Sequence, residues 1–131
     1  MLRLRKRYVF LENGLAPIGM ISETPSVLVV HPSVPATTLA ELLAYARANP
    51  GKLNYASAGN GSINHVGTEH FMALAGIQMT HIPYRGGGPA VTDVMGGQVP
   101  LLWVSIPAAA RFIKTGTLKA LAVSTQKRSA A

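Results

Sequence analysis

The sequence has no cysteine, few acidic residues and no long apolar run. Without cysteine there is neither a disulfide framework nor a thiolate metal site, although this leaves the cellular compartment undecided. Only 5 residues are Asp or Glu, and no spacing among them indicates the convergent carboxylate pair that acid–base catalysis needs. The longest apolar runs, 26–30 and 100–106, are strand-sized and far below the ~18 residues of a membrane helix.

What the sequence does contain is typical of one globular domain. It has 131 residues, of which 48% are hydrophobic and 13% charged, enough for a substantial core. The net charge of +7 would fall to +3 without Arg3, Arg5, Lys6 and Arg7. Because no stripe of basic and aromatic residues follows, we interpret 1–14 as an atypical basic segment and expect no nucleic-acid partner.

The same segment does not form an intact signal peptide. Its basic start is followed by an apolar stretch, Tyr8 to Leu11, that is too short for an export signal, and Glu12 ends it.

Strands and helices alternate over residues 15–131. We predict helices at 38–48 and 62–75 and from Pro89 and Pro107, and strands at 16–23, 25–31, 53–57, 79–82, 99–104 and 118–124. The pattern predicts a single α/β lobe whose mostly parallel sheet is flanked by helices. Ligands bind outside the carboxyl ends of such strands, so the loops 57–62, 83–88 and 105–107 are the places to search.

The loop from Ser57 to Ser62 is the strongest candidate for binding chemistry. Gly59 and Gly61 let the backbone approach a ligand, and free amides at a helix start favour an anion. Ser57, Asn60 and Ser62 add side-chain donors. A tight turn with Ser62 or Asn60 as the helix N-cap explains the same residues equally well.

Nucleotide ligands fit this loop poorly. A dinucleotide fingerprint starting at Gly59 would need a small residue where Asn64 stands, and the lysine of a phosphate-binding Walker loop is missing. No cofactor is therefore expected.

Three further residues are weaker candidates. His65 lies in the first turn of the predicted helix, within reach of an anion. Arg85 is placed to fork onto a carboxylate, although a solvated arginine is as good an interpretation. Tyr84 suits the wall of a cleft. His65 and Glu69 share a helix face but the neighbouring histidine does not, so we predict no metal site.

Six ordered motifs together resemble one family. They are 25–33 (PSVLVVHPS), 49–57 (NPGKLNYAS), 59–62 (GNGS), 81–86 (HIPYRG), 96–99 (GGQV) and 116–124 (GTLKALAVS), with Arg128 beyond. In this register the chain resembles, over residues 15–128, the solute-binding receptors of tripartite tricarboxylate transporters, also called Bug-type receptors. Pro100 departs from the pattern, since the family usually has an aspartate there.

The resemblance implies a non-enzymatic, two-lobed periplasmic receptor that delivers small carboxylates to the permease subunits of a membrane transporter. By position, residues 57–62 would supply the second lobe's part of the carboxylate site, and 83–86 would line the cleft. Such receptors are about twice this length. We therefore expect the second lobe of a type II periplasmic-binding fold with its hinge strands, as a truncated receptor.

Two alternatives remain open at the level of the sequence. One is a non-binding remnant that self-associates as a homodimer through exposed strand edges and an uncovered cleft face. The other is a small phosphate-handling α/β enzyme, supported only by the loop before the helix at residue 62.

Overall fold

The computed structural model describes residues 24–125. The basic segment, the predicted strand 16–23 and the segment after residue 125 lie outside the described residues. Five strands and four helices alternate: β1 Ser26–Val30, α1 Leu39–Ala48, β2 Asn54–Ser57, α2 Ile63–Ala75, β3 Thr80–Pro83, α3 Gly87–Met95, β4 Leu101–Ser105, α4 Ile106–Lys114 and β5 Lys119–Val123. None of these helices is long and apolar enough to cross a membrane.

The strands form one sheet in the order β3-β2-β4-β1-β5. β2 pairs in parallel with both β3 and β4, whereas β1 runs antiparallel to both β4 and β5. Four strands therefore run in one direction, and the predicted α/β class with a mostly parallel sheet is confirmed. Helices α2, α3 and α4 follow β2, β3 and β4, so all three begin at the same edge of the sheet.

The strand β1 separates two cores. Val27 and Val29 face one cluster, which includes Val94 of α3 and Ala109 of α4. Leu28 and Val30 face the other, which includes Leu42 of α1 and Met72 of α2. All four β1 side chains are at most 2% exposed, so the continuous apolar run predicted a strand covered on both faces correctly.

Helix starts follow from local chemistry. Thr38 Oγ1 accepts the Glu41 amide at 3.2 Å, and Glu41 Oε2 accepts the Thr38 and Thr37 amides at 3.3 and 2.6 Å, which is the predicted capping box. The hydrogen bond from the Thr37 backbone, joined by the Thr37 hydroxyl, lowers the pKa of Glu41. The strand predicted at 99–104 begins at Leu101, since Pro100 has no amide to donate.

Both ends of the described chain meet at one point. Ser26 N–H donates to Ser124 Oγ at 2.9 Å, and Ser124 N–H donates back to the Ser26 carbonyl at 2.9 Å. The chain therefore enters and leaves the lobe through adjacent strands, β1 and β5.

Truncating the centre of β1 tests the two-core arrangement. Leu28 is fully buried, so Leu28→Ala should reduce the free energy of unfolding by about 2–5 kcal/mol in urea denaturation. Leu74, which is 76% exposed on α2, provides the matched control, and Leu74→Ala should change it by less than about 0.5 kcal/mol. Equal effects of the two substitutions would contradict the assigned core.

Candidate functional site

An open cleft of about 710 Å³ lies at the carboxyl ends of the parallel strands. Its lining includes first-turn residues of three helices: Ile63 and Asn64 of α2, Gly87 and Gly88 of α3, and Ala108 of α4. The first amides of a helix have no carbonyl partner within it, and they carry the positive end of its dipole. Three such ends at one cleft favour a negatively charged ligand.

The rest of the cleft strengthens this preference. It continues between α3 and α4 over Leu102 and Val104, and none of the residues among 24–125 that line it is acidic. Arg111 is the one charged residue in the described part of the lining, and its guanidinium carbon lies 4.3 Å from the centroid of the Phe112 ring. Ser105, the N-cap of α4, also lines the cleft and makes no side-chain capping bond.

The loop predicted to bind the anion uses most of its amides internally. Gly59 N–H donates to Ser57 Oγ at 3.1 Å, and Gly61 N–H to His65 Nδ1 at 3.0 Å. Ser62 N–H donates to the Gly59 carbonyl at 3.2 Å. Ser62 is the N-cap of α2 and its hydroxyl accepts the His65 amide at 3.3 Å, so the turn-and-cap interpretation describes Ser62.

The three loop residues with occupied amides do not line the cleft, whereas residues next to them in the chain do. Ala58 lies just inside the turn, and Ile63 and Asn64 follow it as the first residues of α2. The Ile63 and Asn64 amides have no acceptor among residues 24–125. Asn60 is exposed at the tip of the loop. Binding by the loop 57–62 stays a prediction, and the backbone donors open to the cleft lie where this loop enters α2.

Glycine at position 59 has a steric reason. Its φ is +125°, and a Cβ there would stand 3.3 Å from the Tyr84 carbonyl oxygen. Tyr84 follows β3, so this contact sets how closely the loops after β2 and β3 approach each other.

Three stacked rings lie beneath the loop. Tyr55 of β2 stacks on His81 of β3 with a centroid distance of 4.9 Å, and His81 stacks on His65 of α2 at 4.0 Å with an interplanar angle of 7°. His81 Nε2 lies 2.6 Å from Ser57 Oγ. Burial lowers the pKa of His81, and the charge of a protonated His65 lowers it further.

His81 is not among the site residues predicted from the sequence. Its position follows from strand register, because Tyr55 lies opposite His81 in the parallel pair. Tyr55 and Ser57 share a face of β2, so all three side chains point toward α2. Periodicity alone identifies the face of each strand, whereas the register needs the structure.

Glu69 closes the cluster on its exposed side. Tyr55 Oη donates to Glu69 Oε1 at 2.5 Å, and His65 Nε2 lies 3.8 Å from the same oxygen. Burial, followed by this hydrogen bond, raises the pKa of Tyr55. Across residues 24–125, no three His, Cys, Asp or Glu side chains are grouped so that they could hold a metal ion.

The close Ser57–His81 contact does not form a nucleophilic pair. Ser57 is fully buried, so its hydroxyl cannot meet a substrate without opening the loop. Between residues 24 and 125, no carboxylate hydrogen bonds to His81 to orient it as a general base. The hydroxyl instead connects β3 to the Gly59 amide.

Tyr84 and Arg85 lie beside the cleft rather than in its lining. Tyr84 is half-buried, donates its hydroxyl to Asp93 Oδ2 at 2.8 Å and so supports α3. Burial, followed by this bond, raises the pKa of Tyr84. Arg85 is exposed and has no acidic partner in the described part of the chain. Ligand contact by Tyr84 and Arg85 stays a prediction.

A lobe of this topology, with an anion-favouring cleft at the carboxyl edge of its sheet, has the architecture of a solute-binding receptor. The family model described as "Tripartite tricarboxylate transporter family receptor" matches residues 6–131, and the chain belongs to that family. The family consists of receptors, so the prediction that the chain is not an enzyme is confirmed.

Curated relatives agree with this assignment. Protein BugT of Bordetella pertussis is 38% identical over 122 residues, which are 93% of this chain and 37% of that protein. A UPF0065 protein of Cupriavidus necator is 39% identical over 103 residues, which are 79% of this chain and 31% of that protein. The chain thus spans about a third of the length of the curated relatives it matches.

Solved structures share the fold. One described as "R. palustris Rpa4515 with adipate" has a TM-score of 0.79 and 34% identity, over 92% of this chain and 42% of that one. MatC from Rhodopseudomonas palustris, with bound malate, has a TM-score of 0.76 and 28% identity, over 80% and 36%. The periplasmic binding protein BugD has a TM-score of 0.76 and 30% identity, over 80% and 35%. They confirm a type II periplasmic-binding lobe.

The stacked histidines predict an acid-sensitive lobe. Because the pKa of His81 is lower in the folded chain than the ordinary value of about 6.5, the unfolded chain takes up this proton first as pH falls. The stabilisation is complete above about pH 6.5 and is lost progressively below it. Urea denaturation across this range should show the decline, and His81→Asn should flatten it.

His70 supplies the control for this measurement. It is exposed and makes no contact with the stack, so His70→Asn should leave the wild-type pH dependence in place. A His81→Asn chain that keeps the full wild-type decline would show that another group is responsible.

Proposed function

We propose that this chain supplies one lobe of a carboxylate receptor, and that it binds dicarboxylates in the cleft between the starts of α2, α3 and α4. The observation that carries the proposal is the convergence of three helix starts on a cleft whose lining, as far as the structure describes it, contains no acidic residue. Ligand release and capture would need no covalent chemistry, since the contacts are amides, hydroxyls and one guanidinium.

One carboxylate would sit at the helix starts. The amides of Gly87 and Gly88 are suited to it because no side chain shields them, and Gly86, the N-cap of α3, offers no side-chain acceptor in their place. The free Ser105 hydroxyl would add a donor. Charge-assisted hydrogen bonds of this kind are stronger than neutral ones.

The second carboxylate would reach Arg111. Between the helix starts and this guanidinium, the cleft is floored by Leu102 and Val104, which suit a methylene chain. Adipate and malate, bound by two solved neighbours, have this arrangement of two carboxylates on a short carbon chain. An opposing lobe would complete the site, so we expect the described lobe alone to bind weakly.

We further propose a periplasmic location and permease subunits as partners. The family is that of transporter receptors, and two structural neighbours are described as periplasmic. Truncation and the predicted homodimer stay predictions. The half-buried strand β5 is at the edge of the described sheet, beside an apolar groove of about 500 Å³, and is the surface that such a dimer would use.

Titration with adipate and malate, followed by amide NMR, tests the proposal at the level of single residues. We expect fast-exchange, millimolar binding that shifts the amides of Ile63, Asn64, Gly87, Gly88 and Ala108. Butylamine, a cation with a similar carbon chain, should shift none of them. Shifts confined to distant residues, or equal shifts with both ligands, would contradict a carboxylate site here.

Two arginines discriminate the predicted contacts. Arg111→Gln should weaken adipate binding several-fold and leave a monocarboxylate nearly unaffected, because it removes the partner of the second carboxylate. Arg85→Gln is the matched control outside the cleft lining. If Arg85→Gln causes the larger loss, the ligand lies nearer to the loop after β3 than we propose.

Two N-cap serines separate binding from stability. Ser105→Ala should weaken carboxylate binding with little loss of stability, since its hydroxyl makes no capping bond. Ser62→Ala should cost about 1 kcal/mol of stability in urea denaturation, since its hydroxyl accepts the His65 amide. A large stability loss in Ser105→Ala would show that the hydroxyl serves the fold instead.

A further inference from the structure

The bond between Gly61 and His65 depends on the protonation of one nitrogen. His65 is the third residue of α2, and its Nδ1 accepts the Gly61 amide at 3.0 Å. A ring nitrogen accepts only through a free lone pair, so Nδ1 carries no hydrogen here. His65 is thus the neutral tautomer with its hydrogen on Nε2.

Three titratable groups among residues 24–125 face this imidazole. Glu69, on the same helix, places Oε1 3.8 Å from Nε2. His81 of β3 stacks on the ring at 4.0 Å, so two charged imidazoles would repel each other. Tyr55 of β2 lies further away, at 6.4 Å. The His65 side chain is 25% exposed, so protons reach it from solvent.

Protonation would set two donors against each other. A hydrogen on Nδ1 would point at the Gly61 N–H, and the bond could not persist. The peptide between Asn60 and Gly61 can turn over to relieve this, because Gly61 has a φ of +75° and space around it where a Cβ would be. The Asn60 carbonyl would then face the imidazolium, and the Gly61 N–H would face solvent.

We propose that His65 is a proton-operated latch on the loop after β2: neutral His65 occupies the Gly61 amide, and protonated His65 releases that amide to a carboxylate at the edge of the cleft. The second half rests on the proposed function. Gly61 lies two residues before Ile63, which is 80% exposed and lines the cleft. A freed donor and a new positive charge would then act on the same anion.

His81 positions the inner end of the same loop. Its Nε2 contacts Ser57 Oγ, which accepts the Gly59 amide, so Gly59 is fixed by one histidine and Gly61 by the other. Ser57 Oγ donates its own hydrogen to the Gly59 carbonyl at 3.2 Å, which favours the His81 tautomer with a hydrogen on Nε2. In that tautomer Nε2 donates to Ser57 whether the ring is neutral or charged, so this contact survives protonation. Protonation therefore keeps the contact that His81 makes with the loop and breaks the contact that His65 makes with it.

The ligand-free chain tests the latch itself by NMR. The amide resonance of Gly61 should titrate together with the ring resonances of His65, and its solvent exchange should accelerate as His65 becomes charged. His65→Asn is the matched control, since Asn Oδ1 is bonded to Cγ as His Nδ1 is, and it accepts a hydrogen bond without titrating. In that variant the Gly61 resonance should be independent of pH. A Gly61 resonance that ignores His65 in the wild type would overturn the proposal.

Adipate titrations at two pH values, one at which the ring resonances show His65 neutral and a lower one at which they show it charged, test the coupling to ligand. The ratio of the wild-type affinity to the His65→Asn affinity should rise about fivefold at the lower pH. Taking this ratio corrects for the protonation of adipate itself. An unchanged or falling ratio would refute the release of Gly61 to a ligand. If adipate binds at neither pH while Gly61 and His65 still titrate together, the proposed function fails, along with the ligand step, and the latch stands.

Discussion

Parallel pairing of β2 with β3 and β4 is the constraint on which the site depends. Strands that share a direction place the helices that follow them at a common edge, whatever the sequence of the loops. The starts of α2, α3 and α4 therefore converge, and the first-turn residues of all three line one cleft. No acidic residue is among the described lining residues, so these residues do not cancel the field of the helix ends.

The loop residues that shape the site differ from the residues whose backbone N–H groups are free to meet a ligand. The Gly59, Gly61 and Ser62 amides are occupied by partners inside the protein, whereas the first two amides of α2 have none in the described residues. Glycines in a binding loop thus serve its geometry first. Gly59 has no room for a Cβ beside the Tyr84 carbonyl, and its amide is fixed by Ser57.

Much of this could be predicted from the sequence, and the rest shows where such prediction stops. Local rules placed the capping box at Thr38, the helix start at Ser62 and the doubly covered strand around Leu28, since each depends on neighbours in the chain. The resemblance of six motifs identified the family. The role of His81 was missed, because contacts with His65 and Ser57 require the register of β2 against β3. Arg111 was missed because only the packing of α4 brings it to the cleft.

The paired serines at the boundary of the lobe have a consequence for engineering. Because Ser26 and Ser124 exchange hydrogen bonds, the points of entry and exit are within one strand spacing of each other. A domain whose two chain ends are adjacent can be joined to another protein at one surface loop, and such domains tolerate insertion into a host protein. A host protein could thus receive this lobe at a single surface loop, through the adjacent strands β1 and β5.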